Sequence, residues 1–180
     1  MEETIKTSEH EHYMGLALKK AEAALKKGEF PVGCVVVIDN RVIADSSRQG
    51  TAGTNNIFSE IDHAEIICLK NIEQANSKHD LSKAVLFCTM EPCLMCFGAI
   101  LIAGIKKIVY AYEDAMGGGT SCDLAKLPPL YKQSSIEVVP GIMREQSLDL
   151  FSRFFNRRGN QYWKDSFLET YTIEQSARKK

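Results

Sequence analysis

Short runs of β-branched and apolar residues alternate with segments of helical length along most of this chain, and this alternation restricts the fold more than any other feature. Parallel strands that neighbour each other need a long crossover connection, usually a helix, whereas antiparallel strands can be joined by a tight turn. Helices in such crossovers cover the faces of the sheet. We therefore expect an α/β fold, a three-layer α/β/α sandwich built on a mixed sheet of roughly five strands.

A β-hairpin is predicted near the amino terminus. The segment FPVGCVVVIDNRVIADS contains two β-branched runs, one on each side of Asp39-Asn40. Both turn residues tolerate the left-handed backbone conformation that a two-residue hairpin turn requires. The other strands are predicted at 84–89, 105–112 and 136–139, and helices at 10–27, 63–75, 93–103 and 143–157.

Length and composition indicate one domain. A chain of 180 residues that is 44% hydrophobic and 25% charged is long enough for one buried core and short for two. We assign 1–158 to this domain. Residues 159–180 are part aromatic and part charged, and we assign them to a C-terminal tail that forms a helix or a lid over the site.

Charge and hydropathy limit the possible partners. Because the net charge is −1, any contact with nucleic acid has to be local. No run approaches the roughly 18 apolar residues of a membrane span, and the first residues are polar and acidic, unlike a signal peptide. We expect a cytoplasmic protein with no membrane partner, whose cysteines are reduced or bind a metal.

Two of the cysteines form a close pair at the predicted start of a helix. Cys93 and Cys96 follow Pro92, so both sulfurs can reach one point beyond the helix end, where partial positive charge favours the thiolate. This motif alone fits a redox dithiol or a metal site about equally well. His63 favours the metal, because its helix also follows a strand and such helix starts share one edge of the sheet. We predict that His63, Cys93 and Cys96 bind one Zn²⁺.

Glu65 completes the predicted chemistry. Three protein ligands leave a fourth zinc position for water, whose pKa the metal lowers towards neutrality. Glu65 lies two residues after His63 and is expected to move protons from that water to a leaving group rather than to bind the metal. The order His-x-Glu, then Pro-Cys-x-x-Cys, is a signature of zinc deaminases that act on nucleobases. The other cysteines are interpreted as small buried hydrophobic residues: Cys34, Cys68, Cys88 and Cys122.

Together, the segments FPVGCVVV, HAEI and EPCLMCFGAI resemble those of bacterial tRNA adenosine deaminases, which belong to the cytidine deaminase-like superfamily. The resemblance covers roughly 13–158. It implies one Zn²⁺ per chain, formation of inosine at the wobble position of tRNA, and a homodimer. It also implies that the backbone around Ala64 and Glu65 helps to position the base.

Three segments differ from the usual pattern of that family. In the loop before the HAEI motif the family usually has an asparagine that contacts the base, whereas this longer loop has Arg48, with Asn55 or Asn56 as a substitute. The loop EDAMGGG, with Asp114 as a candidate substrate contact, replaces one that usually carries a basic residue. The segment RRGNQYWKD resembles the tail of fungal cytosine deaminases, so Trp163 is either a lid over a small free base or an aromatic residue that packs the tail.

A tRNA substrate requires a basic surface for its phosphates. The candidates lie before one strand and along the last helix of the domain: Lys106, Lys107, Arg153, Arg157 and Arg158.

Alternative functions follow from the same residues. A deaminase of a free base or nucleoside, namely cytosine, guanine or adenosine, is the first alternative to a tRNA enzyme. An inactive zinc-binding partner subunit is a second, but it gives Glu65 no role. A thiol redox protein leaves both His63 and Glu65 unexplained.

Overall fold

The computed structural model describes residues 2–53, 58–75 and 78–178. Its five strands form one sheet in the order β2-β1-β3-β4-β5. The first strand pairs antiparallel with β2 and β3, whereas β3, β4 and β5 run parallel. The predicted mixed sheet is therefore confirmed. The strands span Gly33–Ile38 (β1), Arg41–Ser47 (β2), Val85–Met90 (β3), Lys107–Tyr112 (β4) and Glu137–Val139 (β5).

The predicted hairpin is present. Asp39 and Asn40 connect β1 to β2 with φ angles of 48° and 61°, both in the left-handed region that this type of turn needs. Because β1 lies between β2 and β3, those two strands run in the same direction. The connection between them must therefore cross over the sheet, and it contains a helix.

Six α-helices surround the sheet in the described part of the chain. The first helix begins well before the predicted start at residue 10, because its early turns are polar and lack the apolar stripe on which the prediction relied. A short fourth helix was not predicted; it begins at Pro129, whose fixed φ suits a first helical position. The helices span Glu2–Lys26 (α1), Ala64–Gln74 (α2), Leu94–Ile102 (α3), Pro129–Lys132 (α4), Arg144–Phe155 (α5) and Phe167–Ala177 (α6).

The core has two parts, one on each face of the sheet. Odd-numbered strand residues such as Val35 and Val109 pack against α1. Even-numbered residues such as Val36 and Ile108 pack against α2 and α3. The strand alternation thus buries both faces, as a three-layer sandwich requires. In the described residues no helix is both long and apolar enough to cross a membrane.

Close packing of α1 depends on Gly33. A β-carbon at this position would lie 2.1 Å from the carbonyl oxygen of Ala17 and 2.6 Å from the amide nitrogen of Ala21. A side chain would therefore push α1 away from β1.

The C-terminal tail contains α6, which packs against α5. Leu168 is buried in the larger core cluster, and the hydroxyl of Tyr112 lies 3.1 Å from that of Thr172. Helix α6 thus occupies Phe167–Ala177 of the predicted tail.

Candidate active site

Two helices begin at the carboxyl end of the parallel strands and bring the predicted metal ligands together. His63 lies immediately before α2, and Cys93 lies immediately before α3. The Nδ1 atom of His63 is 3.6 Å from Cys93 Sγ and 3.4 Å from Cys96 Sγ. Ligand atoms about 2.0–2.3 Å from a tetrahedral zinc lie at roughly this separation from one another.

The chemistry of these donors also fits zinc. A hydrogen bond from Cys96 and the nearby imidazole lower the pKa of Cys93 to about 4, so this sulfur is a thiolate. The adjacent Cys93 raises the pKa of Cys96 in the absence of metal. Metal binding releases such a proton because only the thiolate is a ligand. Within the described residues, His63, Cys93 and Cys96 form the one group of three or more potential ligands close enough to hold an ion.

Glu65 lies in the first turn of α2 with its carboxylate buried. Its Oε1 atom accepts a hydrogen bond from Cys88 Sγ at 3.1 Å. Its Oε2 atom is buried and has no hydrogen-bond partner among the described residues. Burial raises the pKa of this carboxyl group, which brings it closer to the range in which a group can both take up and release a proton. A buried oxygen in this position can accept a hydrogen bond from a bound ligand that has a proton to donate.

A cavity of about 490 Å³ opens onto these residues. This volume is within the range of small-molecule sites, which are usually apolar with a few polar groups. Apolar and polar side chains both line the cavity. The apolar part includes Phe30, Val32, Met90 and Leu168, and the polar part includes Arg48, Glu60, Glu91 and Asp114.

Arg48 lines the cavity, but the N–H groups of its guanidinium donate hydrogen bonds to other protein groups. The side chain is buried, and Nη2 donates to the carbonyl oxygen of Ser59 at 2.8 Å. The same nitrogen is 3.6 Å from the carboxylate of Glu60 and 3.5 Å from the hydroxyl of Tyr162. Arg48 therefore links the end of β2 to the loop that leads to His63.

Asp114 also lines the cavity, in the loop after β4. Its Oδ1 atom accepts hydrogen bonds from the amides of Met116 at 3.0 Å and Gly117 at 2.8 Å, and burial raises its pKa. Glu91 holds the same loop, because its carboxylate accepts from the amides of Asp114 and Thr120, each at 3.2 Å. Glu91 was not among the predicted site residues.

The tail contributes one wall of the cavity through Tyr162 and Trp163. Trp163 is 44% exposed and adopts a positive φ of 53°. Tyr162 packs on Phe30 with ring centroids 5.4 Å apart and donates from its hydroxyl to Glu60 at 3.0 Å. Features of both interpretations of Trp163 are thus present, since it borders the cavity in a segment packed on the core.

The other predicted substrate contacts are placed as follows. Ala64 is buried at the start of α2, and its carbonyl oxygen accepts a hydrogen bond from Ser46. Asn55 and Asn56 lie outside the described residues.

The candidate RNA-binding residues are not grouped around the cavity. Lys107 begins β4 and lies 3.0 Å from Glu137, at the end of the sheet opposite to the site and about 17 Å along the strand from Tyr112. Lys106 is exposed beside it. Arg153 lies 3.4 Å from Asp149, and the exposed Arg157 and Arg158 follow α5.

Several cavity residues were not predicted because they reach the site from distant parts of the chain. Tyr162 and Glu60 are 102 positions apart, and Glu91 and Thr120 are 29 apart. Glu91 had one available signal, its place directly before the Pro-Cys pair. No local pattern marked the apolar residues Phe30, Val32, Met90 and Leu168.

Comparisons with known proteins agree with this geometry. The family model for the cytidine and deoxycytidylate deaminase zinc-binding region matches residues 7–112. A tRNA-specific adenosine deaminase of Agrobacterium fabrum is 32% identical over 151 residues, which cover 84% of this chain and 97% of that protein. The protein of the same name from Bacillus subtilis is 33% identical over 150 residues, covering 82% and 89% of the two chains.

Solved structures share the fold. One, from a study of A-to-I editing by tRNA:A34 deaminases at the wobble position, has a TM-score of 0.66 and 32% identity, covering 77% of this chain and 98% of that one. The guanine deaminase of Nitrosomonas europaea has a TM-score of 0.61 at 22% identity, covering 80% and 83% of the two chains. At that identity the second likeness concerns the fold alone.

Proposed function

Since the chain belongs to the cytidine and deoxycytidylate deaminase family, we propose that it is a zinc-dependent hydrolase that converts adenosine to inosine at the wobble position of tRNA. The convergence of His63, Cys93 and Cys96 next to the buried carboxylate of Glu65 carries this proposal. The names of the relatives support the tRNA substrate, and the matches extend over nearly the whole length of the Agrobacterium protein.

The ligands and the carboxylate have separate tasks. When bound, zinc activates water by lowering its pKa. Glu65 takes up a proton at the site and releases it to the departing amine. Its carboxyl group suits this task because burial raises its pKa and because Oε2 has no hydrogen-bond partner among the residues that the structure describes. A structural zinc site needs no such group, so Glu65 disfavours an inactive partner subunit.

The cavity binds the base and limits the access of water. Its apolar lining, which includes Val32 and Met90, suits the faces of a planar heterocycle. Ala64 contributes backbone at the start of α2, and Asp114 and Trp163 border the base. Because the Arg48 guanidinium is held by Ser59, we assign it the positioning of the loop rather than direct contact with the substrate.

Deamination of a free base or nucleoside is the second candidate function. The cavity is bordered by the carboxylates of Glu60 and Asp114, and acidic groups next to RNA phosphates weaken binding. Lys107 lies at the other end of the sheet. These observations favour an uncharged small substrate, with Trp163 as part of a wall over it.

An assay of matched substrates tests the proposal. Inosine formation in an anticodon stem-loop is compared with ammonia release from adenine, guanine, cytosine and their nucleosides, with Glu65→Gln as the background control. We expect activity on the stem-loop that falls steeply with salt, because each neutralised phosphate releases a counterion. An Arg157→Ala, Arg158→Ala double variant should show reduced activity on RNA.

The opposite result has a distinct signature. Efficient turnover of a free base or nucleoside at a rate indifferent to salt contradicts the tRNA proposal. Loss of that turnover in Trp163→Ala would identify the tryptophan as a lid. This substitution tests the lid better than truncation at Gly159, because truncation removes α6 and its buried Leu168.

We also propose a homodimer formed through α3, in which each copy covers the same face of the other. Leu94 and Ile102 are 64% and 65% exposed, and Met95 is 39% exposed. They lie on a short helix whose first residue directly follows Cys93. An exposed apolar patch of this kind is typical of a protein interface. A cytoplasmic location is part of the same proposal because the proposed substrate is tRNA.

A further inference from the structure

Three buried thiols lie behind the candidate active site. Cys34, Cys68 and Cys88 come from β1, α2 and β3, and all have no exposed surface. Cys34 and Cys88 are directly opposite each other in the antiparallel pair of β1 and β3. All three were predicted to be small buried hydrophobic residues, and they are buried. Their hydrogen bonds, however, are not equivalent.

The contacts of the Cys68 sulfur connect secondary-structure elements to one another. Its sulfur lies 3.2 Å from the hydroxyl oxygen of Ser46 and 3.5 Å from the carbonyl oxygen of Cys34. These contacts link α2 to the first two strands. They do not reach the carboxylate of Glu65, although Cys68 is only three residues further along the same helix.

Cys88 instead donates to Glu65. The distance from its Sγ to Glu65 Oε1 is 3.1 Å, and both side chains are buried. Burial raises the pKa of Cys88 to about 12, so the thiol keeps its proton and remains a neutral donor. The other carboxylate oxygen, Oε2, has no partner in the described part of the chain. The two oxygens of one carboxylate are therefore in different environments.

We propose that Cys88 is a positioning residue, which holds Glu65 through Oε1 so that Oε2 is presented for proton transfer. The inference rests on the proposed deaminase function, because it assigns Cys88 a part in the work of Glu65. A glutamate side chain has several rotatable bonds and can adopt several conformations. Even a small displacement of a catalytic group lowers the reaction rate, so the carboxylate has to be held in place. Cys88 supplies the constraint from β3, the strand that also leads to Cys93.

Three single variants separate positioning from packing. Cys88→Ala removes the donor, Cys88→Ser replaces the thiol with a hydroxyl donor, and Cys68→Ala makes the same deletion in the same cluster without touching the carboxylate. Zinc content, thermal midpoint, kcat and KM are measured for each, with the best substrate of the wild-type enzyme. A wild-type enzyme that is inactive on every substrate of the matched panel contradicts the proposed function before the variants are compared.

We expect Cys88→Ala to retain zinc and KM while kcat falls about five- to tenfold, the effect of losing one hydrogen bond that orients a catalytic group. Cys88→Ser should recover most of the wild-type kcat. Cys68→Ala should lower the thermal midpoint as Cys88→Ala does, yet leave kcat within about twofold. An unchanged kcat in Cys88→Ala, no recovery in Cys88→Ser, or an equal fall in Cys68→Ala overturns the proposal.

Discussion

At the scale of single residues, the environment of Glu65 explains why a carboxylate lies at the buried start of a helix. Desolvation penalises its charged form, and a buried charge is normally compensated by partners. One of its oxygens has no partner among the described residues, so part of that cost is uncompensated. A side chain kept under such conditions is expected to serve function rather than stability.

Substitution of this carboxylate should therefore affect turnover much more than folding. Glu65→Gln keeps nearly the same shape but cannot carry the proton, so we expect a loss of about 10²- to 10⁴-fold in kcat. Zinc content and thermal midpoint should stay at or above the wild-type values. Steady-state kinetics on zinc-replete protein gives the measurement, and near-normal kcat would remove Glu65 from the reaction.

The metal ligands could be predicted from the sequence, whereas the hydrogen bonds of the residues around them could not. His63, Cys93 and Cys96 were found by spacing, because each lies at the start of a helix that follows a strand. Arg48 illustrates the opposite case. Its place before the HAEI motif indicated a substrate contact, but its donors reach Ser59 in the loop, which no local pattern predicts.

At the scale of elements, the loop after β4 is held to the last two helices by a charged cluster. Glu113 accepts hydrogen bonds from Arg144 Nε at 2.7 Å and from the Tyr171 hydroxyl at 2.8 Å. Burial alone would raise the pKa of Glu113, but the hydrogen bonds from Arg144 and Tyr171 outweigh it and leave the pKa lowered. Glu113, the first residue of the EDAMGGG segment, is thus paired with protein groups.

This cluster makes stability depend on pH. A carboxyl group with a lowered folded-state pKa stabilises the fold above its unfolded value, near 4.3, and loses this contribution as the pH falls through the folded value. We expect Glu113→Gln to cost about 1–2 kcal/mol at pH 7, after allowance for partial exposure, and much less near pH 3.

Thermal unfolding of wild type and Glu113→Gln between pH 7 and pH 3 measures this difference. Glu145→Gln is a suitable control, because Glu145 also contacts Arg144 but is more exposed. A difference between Glu113→Gln and wild type that is constant with pH would show that the charge of Glu113 contributes nothing.

The elements themselves were predicted where their periodicity was strong. The strands predicted at 84–89, 105–112 and 136–139 lie within two residues of β3, β4 and β5, and the hairpin turn lies at Asp39-Asn40 as predicted, since the apolar and β-branched runs have clear limits. The early turns of α1 and the short α4 were missed because helix formation there involves no apolar stripe. Ends of elements depend on capping and packing that the apolar pattern does not contain.

At the scale of the whole molecule, the exposed face of α3 connects assembly to the site. Leu94 is adjacent to Cys93, so a second copy packed on this face would be close to the metal ligands. Charges placed there should prevent association, because burying an unpaired carboxylate is costly. We expect a Leu94→Glu, Ile102→Glu double variant to be monomeric where the wild type is a dimer.

Light scattering coupled to size-exclusion chromatography gives the masses. Leu130→Glu is the matched control, since Leu130 is 66% exposed on α4 and outside the proposed interface. A monomeric wild type, or a double variant with the mass of the wild type, contradicts an interface through α3.

Metal removal should also be visible in the stability of the whole chain. A metal that binds the folded but not the unfolded chain adds about 2.7 kcal/mol at 100 times its dissociation constant. We expect a chelator to lower the thermal midpoint of wild type and Cys122→Ala, but to change Cys93→Ala little, because that variant lacks a ligand. Equal midpoints of the wild type with and without chelator would contradict this coupling.

The positions of His63 and Cys93 have a consequence for protease resistance. Each immediately precedes a helix, and neither side chain forms a capping hydrogen bond. A serine or aspartate there would secure the first turn without any ligand. We therefore expect a bound metal to restrain the starts of α2 and α3, so that removing it exposes peptide bonds at these two points first. Limited proteolysis of chelator-treated protein should then cut next to His63 and Cys93 while the sheet is still intact.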